Sequence, residues 1–116
     1  MTFSPPDGAV GVAISNYITI TFNEGIRNTD NSELTNSNIN SLITLRNYAS
    51  GANITFNATI DANKRVITID PTSNLSYSQA VYVAIGVVED AANNATAANY
   101  ATFTTVQYTS PPPAPQ

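Results

Sequence analysis

The stretch Tyr17-Ile18-Thr19-Ile20-Thr21-Phe22 alternates strictly between apolar and polar positions. Ile18, Ile20 and Phe22 fall on one side of an extended backbone and Tyr17, Thr19 and Thr21 on the other, the pattern of a half-buried strand. The same period recurs along the chain. Ile54-Thr55-Phe56-Asn57-Ala58-Thr59-Ile60 turns Ile54, Phe56, Ala58 and Ile60 inward. Arg65 to Asp70 follows after the polar turn Asp61-Ala62-Asn63-Lys64, as in a hairpin. Val81 to Ile85 and Tyr100 to Thr105 continue the series, and Val10 to Ile14 and Leu42 to Arg46 are shorter candidates. No stretch sustains a helical period. The nearest, Leu34 to Ile39, is rich in Asn and Thr, poor helix formers, and is granted one turn. About seven short, β-branched strands predict an all-β chain folded as an antiparallel β-sandwich with Greek-key connections, a small barrel being the second choice. The expected core is Ile18, Ile20, Phe22, Ile54, Phe56, Ile60, Ile67, Ile69, Leu75, Val81, Val83, Ile85 and Phe103.

A chain of 116 residues accommodates one domain. We read residues 1–108 as that domain and residues 109–116, which include Pro111-Pro112-Pro113-Ala114-Pro115, as a stiff polyproline linker. Met1-Thr2-Phe3 leads straight into Ser4-Pro5-Pro6 without a signal peptide, so Met1 reads as a start codon added to an excised fragment.

Composition excludes more than it suggests. Charged residues make up 10% of the chain, far below ordinary usage, and Asn fills about one position in eight. There is no His, Cys or Trp. That removes imidazole acid–base chemistry, a thiol nucleophile, a disulfide framework and soft-ligand metal sites. The net charge is −4, and the basic residues are Arg27, Arg46, Lys64 and Arg65. No basic stripe for nucleic acid or anionic lipid can be assembled from these. No apolar run approaches the ~20 residues of a membrane span.

Four motifs, in order, carry a family resemblance. Ser4-Pro5-Pro6-Asp7-Gly8-Ala9-Val10-Gly11-Val12 is similar to a P-x-D-G-A-x-G-V opening, and Ile18 to Glu24 to an I-T-x-x-F-S-E strand. Val87-Val88-Glu89-Asp90-Ala91-Ala92-Asn93-Asn94 is similar to G-V-K-D-A-A-G-N, and Phe103-Thr104-Thr105 to a closing F-T-T. Together they resemble the bacterial SbsA-type Ig-like domain, a repeat module of surface-layer and secreted proteins. The resemblance implies an Ig-like sandwich, a structural or adhesive role in a larger exported protein, and no catalytic residues. Asn93 stands where the family has Gly, a swap that a left-handed backbone tolerates. Val81 stands where the family has a strand-starting Tyr, six positions after Leu75, which puts Tyr82 on the outward face and not in a tyrosine corner.

Three kinds of site are conceivable. Glu24 and Glu89-Asp90 are carboxylates near inter-strand loops that could form an acid–base pair, or simply accept backbone N–H bonds as turn residues. Asp30, Asn31 and Glu33, or Asp90 with Asn93 and Asn94, offer oxygen ligands for calcium. Neither stretch has the alternating D-x-[DN]-x-[DN]-G loop, and Asp, Asn and Ser are also ordinary turn chemistry. Among Tyr17, Tyr48, Tyr77, Tyr82, Tyr100 and Tyr108, the first candidates for stacking on a sugar are Tyr17 and Tyr82, beside Thr19 and Thr21. A Lys–Asn isopeptide bond would need Lys64, which lies in a turn.

The expected role is therefore a non-catalytic spacer or adhesion-type module, extracellular or at the bacterial cell surface. No cofactor is expected, with calcium as the candidate. It would be a monomer partnered by neighbouring domains of its parent chain and by a surface glycan or protein, with no nucleic acid and no membrane insertion. The alternative is a carbohydrate-binding accessory domain of a secreted polysaccharide-acting enzyme. A spacer predicts scattered tyrosines; a glycan binder predicts that they cluster in one patch.

Overall fold

In the computed structural model the described residues are 1–48 and 50–107. Tyr108 and the Pro-rich linker expected over 109–116 lie outside them. The alternating stretches become strands because each buries one side against a facing sheet. In chain order the strands are β1 (Thr2–Ser4), β2 (Ile18–Thr21), β3 (Ile26–Arg27), β4 (Ile43–Asn47) and β5 (Phe56–Ile60). Then follow β6 (Val66–Pro71), β7 (Ala80–Ile85), β8 (Val88–Asp90), β9 (Ala95–Thr96) and β10 (Asn99–Thr104). One sheet runs β1-β2-β6-β5 and faces a second, β10-β7-β4; every pair of strands is antiparallel. This is the seven-strand immunoglobulin arrangement, four strands against three, with crossovers that place β2 beside β6 and β4 beside β7. The short strands β3, β8 and β9 form a third sheet near the β5–β6 turn, where the Ile26 N–H donates to the Lys64 carbonyl.

The core lies between the two main sheets. Ile18, Ile20, Ile67 and Ile69 from one side meet Leu45, Val81, Val83, Ile85 and Phe103 from the other, all nearly or fully buried. Of the expected core, Ile54 and Phe56 are only partly buried. They sit at an edge, where a cleft of about 410 Å³ opens beside β4 and β5. Leu34, Ile39, Ile26 and Val88 join the core although they stand in turns or in strands too short to show a period.

Three expectations about elements are corrected. Val10 to Ile14 is not a strand: Val12 makes a single parallel bridge to Thr105. The first strand is instead β1, three residues long and hence without a readable alternation. The helical turn is a 3-10 turn at Ile39–Leu42 and not at Leu34 to Ile39.

The edges at β10 and β5 are covered by the chain itself. Along β10, the Gly8 N–H donates to the Thr102 carbonyl at 2.7 Å and the Thr104 N–H to the Ala9 carbonyl at 2.8 Å. The Val12 N–H reaches the Thr104 carbonyl at 3.2 Å, and the Val106 N–H reaches the Val12 carbonyl at 2.8 Å. On β5 the N–H groups of Ala58 and Ile60 donate to the side-chain carbonyls of Asn40 and Asn36, at 3.0 and 2.9 Å. Edges covered in this way cannot recruit a further strand.

Candidate functional site

The Val87–Asn94 motif is β8 followed by the turn into β9. Asp90 Oδ1 accepts the N–H groups of Asn94 and Ala92 at 2.9 and 2.8 Å, and Oδ2 accepts the Asn94 side-chain amide at 3.1 Å. The Asn94 N–H, foremost among these donors, holds the Asp90 carboxyl below its ordinary range. Glu24 comes against Asp90; their hydrogen bond and mutual repulsion push Glu24 above its ordinary range. The two carboxyls are thus displaced in opposite senses, Glu24 upward and Asp90 downward. Asn93 adopts a left-handed backbone, φ 66°, and its Oδ1 accepts from Arg27 Nη2. Arg27 Nε donates to the buried Glu89 at 3.1 Å. The structure thus keeps Asn94 on Asp90, while Asn93 turns its side chain to Arg27.

The second calcium candidate is similarly occupied by local bonding. Asp30 Oδ1 accepts the Ser32 hydroxyl at 2.6 Å and the Ser32 N–H at 2.9 Å, bonds that lower its pKa. Asn31 is left-handed at φ 72°, and Glu33 pairs with Lys64 at 3.2 Å. Lys64 Nζ also donates to the Leu34 carbonyl at 2.8 Å. Among the described residues no group of three or more Asp, Glu, His or Cys side chains gathers to hold a metal.

The tyrosines divide between the sheets. Tyr17, exposed, precedes β2, whereas Tyr82 points outward from the centre of β7, so the two do not form one patch. Tyr82 has other company. Tyr100 stacks on it with ring centroids 5.4 Å apart, Tyr48 lies at 6.5 Å, and the Arg46 guanidinium sits 4.6 Å over its ring. Sequence reading did not join these residues because the group depends on register: Arg46 and Thr102 flank Tyr82, and Tyr100 flanks Ala84. The outward alternation of Thr44 and Arg46 against buried Ile43 and Leu45 was the available signal.

The remaining motifs are structural. Asp7 Oδ1 accepts the N–H and hydroxyl of Thr102 at 2.8 and 3.2 Å, pinning the opening segment to β10. Thr105, buried, donates its hydroxyl to the Ser76 carbonyl and accepts the Gln79 N–H at 2.8 Å, which ties down the corner before β7. Tyr82 takes no part in that corner.

Four strands packed on three, with the corner tied and the edges at β10 and β5 covered, define an immunoglobulin-like domain. The family model for the bacterial Ig-like domain matches residues 1–106, and the chain belongs to that family. Among solved structures it is similar to CopC from Methylosinus trichosporium OB3b, with a TM-score of 0.67 and 15% identity over 95% of this chain and 94% of that one. PcoC, a copper resistance protein from Escherichia coli, gives 0.62 and 13% over 90% and 95%. Surface layer protein SbsC, domains 1–6, gives 0.61 and 12% over 88% of this chain but 13% of that one. Identities this low speak for the fold alone. Among curated proteins none matches significantly. No helix among the described residues is long and apolar enough to cross a membrane, which leaves β-barrels unaddressed.

Proposed function

We propose that this chain is a non-catalytic structural module of the SbsA-type, working in series with neighbouring domains in a larger bacterial protein exported to the cell envelope or beyond. The observation that carries this reading is the parallel pairing of the opening segment with β10. Tension drawn between the two ends loads those backbone bonds along the strand axis, so they resist together instead of opening one by one. The match to one part of SbsC, a surface layer protein of several domains, supports a serial role.

Chemistry of the clefts supports the absence of catalysis. The cleft beside β4 and β5 is lined by Asn, Thr, Ile, Leu and Phe, with no ionisable group. Asp90 is committed to the Asn94 and Ala92 N–H groups as a turn carboxylate, the ordinary structural use of such a residue. PcoC is a copper resistance protein, but this sequence has neither His nor Cys and a single Met, so no copper role is proposed.

The test is to stretch a tandem array of the chain from end to end by single-molecule force. Thr104→Pro deletes the N–H that bonds Ala9 on the edge away from β7. The unfolding force should drop by more than the variant's loss of chemical stability accounts for. An unchanged force would sink the reading. A second reading, a glycan-binding accessory domain, is favoured by one observation, the gathering of Tyr48, Tyr82 and Tyr100.

A further inference from the structure

The outward face of the β10-β7-β4 sheet consists of three cross-strand rows. They are Thr44–Ala84–Tyr100, Arg46–Tyr82–Thr102 and, at the end of the sheet, Tyr48–Ala80–Thr104. No Val, Ile or Leu stands among them. The face is instead three aromatic rings set among hydroxyl groups. Tyr82 is half-buried and braces the other two, whereas Tyr48 and Tyr100 are 61% and 56% exposed and offer free ring surface.

Arg46 supplies the second observation. Among the described residues no hydrogen bond or ion pair engages its guanidinium, which lies over the Tyr82 ring. Stacking uses the flat face of the group and leaves its in-plane N–H fork free for a carboxylate. No row carries an acidic side chain. The carboxylate at the margin, Asp7, accepts from Thr102 on the far side of the face. Within the rows Arg46 thus carries the one formal charge.

We infer that this face binds a carboxylate-bearing polysaccharide, with the C–H faces of its sugar rings on Tyr48 and Tyr100 and a uronate carboxylate held by Arg46. The inference rests on the glycan-binding reading and narrows it to acidic sugars. A single cation on an acidic domain is too little for nucleic acid, whose affinity comes from many phosphate contacts. The net negative charge also disfavours unspecific attraction of polyanions, so binding would have to come from the face itself.

The test is an amide chemical-shift titration with oligosaccharides of galacturonate, mannuronate and glucuronate, each beside its carboxyl-reduced neutral counterpart. An acidic oligosaccharide should shift β4, β7 and β10 saturably and bind about tenfold or more tighter than its neutral partner, the worth of one charge-assisted pair. Arg46→Gln should abolish that preference, and Tyr100→Ala should weaken both members of the pair. Equal binding of acidic and neutral sugars, or a preference that survives Arg46→Gln, would overturn the carboxylate inference while the glycan reading stands. If no oligosaccharide shifts this face, both fall.

Discussion

Asn93 supplies the left-handed backbone that a glycine otherwise provides in this turn, and adds a carbonyl oxygen for Arg27 that glycine lacks. Nearby, Glu24 and Asp90 have pKa values displaced in opposite senses, and the linkage signs differ accordingly. Asp90, Asp30 and Asp61 are depressed, so each stabilises the fold above its unfolded pKa and loses that contribution as pH falls through the folded one. Glu24 is raised, so its contribution is present at acid pH and lost as pH rises through its folded pKa. Melting midpoints recorded across pH should show Glu24→Gln more stable than the parent at neutral pH, the gap closing as pH drops below the ordinary glutamate range. A gap independent of pH would mean that Glu24 is not held above its ordinary range by Asp90. Burial sets a second expectation. Phe103→Ala, at a site 2% exposed, should cost about 3–5 kcal/mol, and Phe56→Ala, at the open edge, less than half as much by denaturant titration. Equal losses would place Phe56 in the core after all.

Among the elements, edges hold more information than the central strands. The Asp61–Lys64 turn is closed by Asp61 Oδ1, which accepts the N–H groups of Arg65 and Val66 at 2.7 and 2.9 Å, and this short-range bonding sets the β5–β6 register. The outer edge of β5 is covered by side chains from the segment before β4. Removing both amides in Asn36→Ala/Asn40→Ala leaves the Ala58 and Ile60 N–H groups without partners. Each orphaned donor should cost about 1–3 kcal/mol, or find a strand from another molecule. Denaturant titration should therefore show lower stability, or sedimentation over a concentration series new association. A variant that is monomeric and as stable as the parent would show that water serves the edge equally well.

For the whole molecule, the feature with most consequence is the pairing of the opening segment with β10. The opening segment and β10 run side by side in parallel, and the force experiment on Thr104→Pro asks whether that pairing sets the resistance of the module. Much of the fold was legible beforehand. Ile18, Ile20, Ile67, Ile69, Val81 and Val83 alternate with polar neighbours, and a period of two leaves one arrangement in which a sheet face is dry. The left-handed residue in the Val87–Asn94 turn was legible for the same local reason, since only Gly, Asn or Asp occupies such a backbone at low cost. The candidate site was not. Tyr17 and Tyr82 looked equivalent, yet one belongs to the sheet of β2 and the other to that of β7; Tyr48, Arg46 and Tyr100 reach Tyr82 only across strands distant in sequence. Leu34 and Ile39 entered the core from turns for a related reason, because a residue outside a strand shows no period. The sequence by itself determined the longer strands and their buried sides, since side-chain alternation and turn chemistry act between near neighbours. Only the tertiary structure decided which outward residues share a face and which edges are covered, since these follow from cross-strand register and sheet order, which no local pattern encodes.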